Sequence, residues 1–250
     1  MLLTIDVGNT NISGGIFVGG KLKYQFDIVT KTYKKTELAK KLRAYPEISA
    51  SIICSVVPKL TRVIQRDLKL FYGRNPYIIG KGLIVPIENR YRVPKQVGQD
   101  RLVNAYAASN LYAGPLIVID SGTAITFDVI SKDQAYLGGL IFPGMNISLE
   151  ALKEKTALLP QVKLQQPKML IGRDTKNSIL SGVVFGTAAL SKELATRIKQ
   201  YLGKNARIIG TGGDISLIKR NSGMKIKINR NLSLIGIKLV YENTITKEQY

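Results

Sequence analysis

Ile5-Asp6-Val7-Gly8-Asn9-Thr10 and Ile119-Asp120-Ser121-Gly122-Thr123 are one phrase written twice. Each closes an apolar run (residues 2–7 and 116–120) with an aspartate, a glycine and a threonine. The second copy lacks one residue between the glycine and the threonine. A carboxylate at the end of a buried strand is costly unless a cation or hydrogen-bond donors satisfy it. A neighbouring glycine lets backbone N–H groups approach a phosphate, and Asn9 and Thr10 add side-chain donors. An Asx-type turn joining two strands is the alternative reading. Repetition favours the phosphate loop, because what recurs is Asp, Gly and Thr rather than apolar core. Two copies predict two similar domains, divided near Ala113-Gly114-Pro115 into residues 1–114 and 115–250. Their turns are expected to face each other across a cleft and to hold a nucleotide's phosphates from both sides.

Working outward, periodicity and turn signals predict strands over residues 12–18 and 21–29, joined by a hairpin turn at Gly19-Gly20. A helix over 36–45, a strand over 50–56, a helix over 59–71 opened by Pro58 and a strand over 76–79 follow. After the second copy come strands over 125–130 and 136–142, a helix from about 177 to 201 and a strand over 206–209. A helix after Gly213, a strand over 225–228 and a helix over 232–242 complete the chain. Each half reads as three strands followed by alternating helix and strand, an α/β arrangement.

Composition narrows the chemistry. No histidine is present, which removes His-based general bases, His-containing triads and most zinc sites. A base would then be a carboxylate and a metal would be hard and oxygen-liganded. Cys54 is the single cysteine, so no intramolecular disulfide forms and a reducing, cytoplasmic setting is expected. Neither a signal peptide nor a membrane-spanning run is read from the sequence. The formal charge is +20, from 37 Lys and Arg against 17 Asp and Glu. Such a field attracts polyanions, or else reflects a solvated Lys-rich surface. The cations are spread along the chain with no aromatic-interleaved basic strip, so no specific nucleic-acid partner is expected.

Of nine aspartates, Asp6, Asp100, Asp120, Asp174 and Asp214 lie within two residues of a glycine. In an acid-poor chain this points to sites rather than solubility. Gly98-Gln99-Asp100-Arg101 precedes a helical stretch. Asp100 is either a plain helix cap or a general base at a helix start, with Arg101 and backbone N–H groups gripping an anionic substrate. Gly138-Gly139 and Pro143-Gly144 bracket a strand, as turns or as points of close backbone approach. Thr211-Gly212-Gly213-Asp214 is a glycine-rich strand-to-helix turn, where α/β folds bind phosphates. Neither a G-x-G-x-x-G fingerprint nor a P-loop occurs.

Taken in order, these segments resemble type III pantothenate kinases: Asp6–Thr10, Gly98-x-Asp100-Arg101 with Asn104, Asp120-x-Gly122-Thr123 through Thr126 and Asp128, Gly138-Gly139-x-Ile141-x-Pro143-Gly144, and Thr211-Gly212-Gly213. The resemblance implies two duplicated RNase H-like (actin-like ATPase) domains and a homodimer. It further implies ATP-dependent phosphorylation of pantothenate, the first step of coenzyme A synthesis. By that likeness Asp6 holds Mg²⁺, while Gly8, Asn9, Thr10, Thr123, Gly212 and Gly213 contact ATP phosphates. Asp100 is the base, Tyr91, Gly98 and Arg101 line the pantothenate pocket, and Asp120 serves a monovalent cation, K⁺ or NH₄⁺. Thr175 reaches the partner subunit's substrate, giving a shared active site. Where the family often has Gly-Lys-Asn-Thr, this chain has Gly172-Arg173-Asp174-Thr175. One rival is a different kinase or phosphohydrolase on the same fold, against which the Gly98-Asp100-Arg101 element argues. Another is a basic regulatory or nucleic-acid-binding protein with lost or different kinase activity, against which intact Asp6, Asp100 and Asp120 argue.

Overall fold

The structure is a computed structural model and describes residues 1–245. It divides into two compact units, Met1–Asn110 with Asn231–Tyr250, and Leu111–Arg230. In the first, strands β1 (Leu2–Val7), β2 (Asn11–Val18), β3 (Lys21–Val29), β4 (Ala50–Ser55), β5 (Tyr77–Ile79) and β6 (Gly82–Leu83) form a sheet ordered β3-β2-β1-β4-β5-β6. Strands β1 to β3 pair antiparallel, whereas β4 joins β1 in parallel and β5 and β6 extend the parallel side. Helices α1 (Lys35–Leu42), α2 (Pro58–Tyr72) and α3 (Gln99–Leu111) intervene.

The second unit holds β7 (Leu116–Ser121), β8 (Ala124–Ile130), β9 (Tyr136–Pro143), β10 (Arg207–Thr211) and β11 (Ile226–Ile228), with helices α4 (Met145–Lys155), α5 (Thr175–Leu202) and α6 (Ile215–Ser222). Its sheet runs β11-β10-β7-β8-β9, with antiparallel pairs on the β8–β9 side and parallel pairs on the β10–β11 side. Read from the other edge, β9-β8-β7-β10-β11 reproduces β3-β2-β1-β4-β5 strand for strand. The duplication legible in two short motifs is thus a duplication of whole sheets. In each sheet the central strand is mostly apolar up to the acid near its C-terminal end, because both its faces are covered. Leu3, Ile5, Ile53 and Ile64 anchor the first core, and Ile117, Ile119, Phe127 and Ile215 the second.

The last helix, α7 (Leu232–Ile245), packs on β1 and β4 of the first sheet. Leu232, Leu234, Ile237 and Val240 are buried there, and Ser233 Oγ donates to Asn104 Oδ1 of α3 at 2.9 Å. This corrects the expected division: the boundary falls at 110/111 rather than 114/115, and the chain returns to the first unit after Arg230. Apart from two short 3-10 turns at Thr30–Thr32 and Pro94–Gln96, two elements were not foreseen. The Pro143-Gly144 pair, read as a turn or a point of close backbone approach, launches α4, and β6 is only two residues long.

Candidate active site

In the first unit the site begins where β1 ends. Asp6 is half-buried and stands in parallel register with Cys54 of β4, so their side chains share a face of the sheet. The turn after it is braced from within. Gly8 N–H donates to Asn11 C=O at 2.9 Å, Thr30 N–H to Thr10 C=O at 2.9 Å, and Thr30 Oγ1 to Gly8 C=O at 2.7 Å. The Gly8 amide is therefore spent inside the turn. The exposed Asn9 and Thr10 form the tip. Thr30, which carries no motif signal, is what holds this loop.

Asp100 lies in the first turn of α3, and its carboxylate accepts from its own N–H and that of Arg101. Asp100 thus satisfies helix-start N–H groups while being largely buried. Burial pushes its pKa above the ordinary carboxylate value, against the opposing pull of those N–H groups and of the Arg101 charge. Arg101 is itself only 8% exposed. Gly98 leaves room for the carboxylate, since a Cβ there would lie 2.4 Å from Asp100 Oδ1 and push it aside. Tyr91 is half-buried in the irregular stretch before α3, its N–H donating to Asn89 Oδ1 at 3.0 Å.

Cys54 joins the two acids. It is completely buried, and its thiol pKa is pushed well up, first by burial and then by the charges of Asp6 and Asp100. Asp6 neighbours this thiol through the β1–β4 register, and the charge of Asp100, far off in sequence, also acts on it. The sequence reading used Cys54 only to exclude a disulfide. An apolar strand ending in cysteine carries no signal of such a role.

In the second unit Asp120, the Gly122-Thr123 turn and Gly212–Asp214 come together at the C-terminal ends of β7 and β10, where parallel α/β sheets bind ligands. Asp214 N–H donates to Ser121 C=O at 3.1 Å, stapling the start of α6 to the end of β7. Gly212 has φ +87°, and a Cβ on it would sit 2.4 Å from Ser121 C=O and 2.5 Å from Asp120 Oδ1. Only glycine lets this turn close over Asp120. Gly122 N–H donates to Ala124 C=O at 3.0 Å, and Gly144 N–H to Thr123 C=O at 3.1 Å, bringing the α4 N-terminus to the same place. Thr123 and Gly213 are exposed. Asp214, half-buried and with its pKa raised by burial, meets Asn146 Nδ2 at 3.4 Å. Two helix N-termini beside a carboxylate suit an anion partnered by a cation. Asp128 belongs elsewhere: fully buried, it accepts from Tyr136 OH at 2.9 Å and Thr126 Oγ1 at 3.2 Å, a core role.

Thr175 is the first residue of α5 and is exposed. Asp174 caps the helix, accepting from Asn177 N–H at 2.9 Å, and this bonding holds its carboxyl below the usual range. Asparagine makes the same cap, so the departure at Asp174 preserves the helix start.

A family model described as type III pantothenate kinase matches residues 2–197. The chain is 38% identical over 251 residues to a type III pantothenate kinase of Moorella thermoacetica, covering 97% of this chain and 99% of that one. The chain belongs to the type III pantothenate kinase family. With a type III pantothenate kinase of Dehalococcoides mccartyi it shares 36% identity over 250 residues, 96% of this chain and 97% of that one. Among solved structures, the activator of the 2-hydroxyisocaproyl-CoA dehydratase from Clostridium difficile, with bound ADPNP, matches with a TM-score of 0.57 at 12% identity. It covers 100% of this chain and 97% of that one, and at such low identity the likeness is one of fold. The architecture is that of two duplicated RNase H-like domains of the actin-like ATPase class, and the protein is a kinase. No helix among the described residues is long and apolar enough to cross a membrane.

Proposed function

We propose that this kinase transfers the γ-phosphoryl group of ATP to the primary hydroxyl of pantothenate, in the cytoplasm, giving 4′-phosphopantothenate for coenzyme A synthesis. The reading is carried by two carboxylates of the first unit, Asp6 half-buried at the end of β1 and Asp100 in the first turn of α3 behind Gly98. Phosphoryl transfer needs positioning and charge neutralisation more than covalent chemistry. A carboxylate for a metal and a second for the acceptor hydroxyl meet that need without a histidine.

Asp100 is assigned as the base. A carboxylate whose pKa is pushed up by burial is, in its ionised form, a better proton acceptor. Its acceptance of two helix-start N–H groups fixes its direction. Gly98, Arg101 and Tyr91 are assigned to the pantothenate pocket, Arg101 facing the substrate carboxylate as a fixed cation. Asn9 and Thr10 at the exposed tip, with Gly8 behind them, are assigned to the ATP phosphates, as are Thr123, Gly212 and Gly213.

The donor chemistry at Asp6 fits Mg²⁺, which is typically held by one or two carboxylates together with substrate phosphates. Bound there, the ion would neutralise phosphate charge. Asp120, beneath a glycine turn that a Cβ would block, fits a monovalent cation, K⁺ or NH₄⁺. A homodimer with a shared site is part of the same reading, with Thr175 serving the partner subunit's substrate. It is supported by an apolar groove of about 580 Å³ along α4 and α5, lined by Pro143, Leu152, Leu159, Ile179, Val183 and Leu190. Exposed apolar surface of this kind marks association sites. The deciding assay supplies pantothenate, ATP, Mg²⁺ and K⁺ and looks for phosphopantothenate. Its absence, from protein shown to be folded, refutes the assignment.

A further inference from the structure

The chain's positive charge looks diffuse in sequence, but the fold collects part of it in a row. Lys59, Arg62, Arg66 and Lys69 recur along α2 at i, i+3, i+7 and i+10. At about 100° per residue they fall within an arc of about 80°, and at ~1.5 Å per residue they span roughly 15 Å. All four are exposed. The opposite face is spent on the core, where Ile64 and Leu68 are completely buried. Asp67, the one acid of α2, is 1% exposed and accepts from Tyr33 OH at 2.9 Å. Arg66 Nε reaches it only at 3.8 Å, so the outer row keeps its charge. Lys35 Nζ, 5.5 Å from the centre of the Phe71 ring, brings a further cation beside the C-terminal end of α2.

We propose that the outer face of α2 is a nucleic-acid-binding surface that grips the sugar–phosphate backbone without reading sequence. A strand of duplex carries a phosphate every ~3.4 Å of axis, so a 15 Å row faces about four of them, one per cation. The guanidinium forks of Arg62 and Arg66 match phosphate oxygens. Exposed positions of α2 hold Pro58, these four cations and Leu70, with no aromatic ring on which a base could stack. Contact is therefore to the backbone and tolerant of sequence. A bilayer is the poorer partner, because a membrane-surface helix needs its apolar face free, and that of α2 is buried in the core.

The test is fluorescence anisotropy of the full chain with a labelled DNA duplex and a labelled single strand, across KCl from about 50 to 200 mM. Replacing all four residues (K59Q/R62Q/R66Q/K69Q) should flatten the slope of log K against log salt by about 3.6 on duplex and about 2.8 on single strand. A control of equal charge loss in the other unit (K153Q/K155Q/K163Q/K168Q) should leave the slope near wild type. Should the fourfold variant not fold by circular dichroism, K59Q/R62Q and R66Q/K69Q are each expected to lose about half as much. Equal losses in the control, or no loss in the α2 variants, overturn the proposal by assigning binding to net charge. Tighter binding to phosphatidylserine-containing vesicles than to oligonucleotide, at matched phosphate, overturns it in favour of a membrane.

Discussion

Adding one methyl group at Gly98 tests the role of Asp100 without touching it. In Gly98→Ala the new carbon would lie 2.4 Å from Asp100 Oδ1, with Asp100 Cγ at 3.6 Å and Arg101 Cγ at 4.0 Å. Comfortable contact begins near 3.5 Å, so the carboxylate oxygen alone must retreat by about 1 Å. Gly98 is not among the glycines with positive φ, so alanine meets no backbone strain there. At the start of a helix, alanine is worse than glycine by roughly 1 kcal/mol. A less flexible unfolded chain returns about 0.4–1 kcal/mol. The melting temperature should then move by no more than about 2–4 °C. Catalysis should suffer far more, since a displacement of about 1 Å at the reacting group costs on the order of 10²-fold. The assay is ADP release coupled to an indicator reaction, at saturating pantothenate and MgATP, on protein whose folded fraction is measured in parallel. We expect kcat to fall about 10²-fold with the KM for ATP little changed. Full turnover from folded Gly98→Ala would show that the position of this carboxylate does not matter. A loss that merely follows the unfolded fraction would return Gly98 and Asp100 to a purely structural role.

Asp100→Asn should lower kcat by about 10²–10⁴-fold. Because burial raises the pKa of Asp100, its ionised form costs stability above that pKa, a cost absent below the ordinary carboxylate value. The variant should therefore melt no lower than wild type at neutral pH, its advantage shrinking as pH falls, as thermal scans across pH would show. Gly212→Ala forces a side chain into a φ of +87° and against the Ser121 carbonyl. It should cost about 2 kcal/mol or more, seen as a melting temperature lower by roughly 4–8 °C. Turnover should be higher in K⁺ than in Na⁺ at equal ionic strength; equal rates would remove the cation role from Asp120. Mixing inactive Asp100→Asn with a chain inactivated by a bulky residue at Thr175 should restore roughly a quarter of wild-type activity after random subunit exchange, because each mixed dimer assembles one intact site. No recovery, with exchange confirmed, would retire the shared site.

Local order was largely legible from residue patterns. Strands expected over 2–7 and 21–29 have those bounds, and most other elements lie within a few residues of expectation. Strands of this kind announce themselves through unbroken apolar runs and glycine turns, which are short-range signals. α4 escaped because Met145, Ile147, Leu149 and Leu152 make an irregular stripe after a Pro-Gly pair that reads as a turn. β6 escaped because two residues carry no period.

What the sequence by itself determined is the duplication, the α/β order of each half, and the acids and glycines at the strand ends. These follow from nearest-neighbour chemistry: a carboxylate or a glycine at the end of an apolar run is informative wherever the rest of the chain lies. Tertiary structure alone decided the remainder. It returned α7 to the first unit through Ser233 and Asn104, set Cys54 beside Asp6, turned the Gly8 amide inward, and aligned four scattered cations along α2. The meetings of Ser233 with Asn104 and of Cys54 with Asp6 join residues separated by a strand or more. Such pairings are set by sheet register and by competition for burial, and no periodicity within one segment records them. The row on α2 is local in spacing, but only packing shows that Asp67 faces the core and leaves the cations outside.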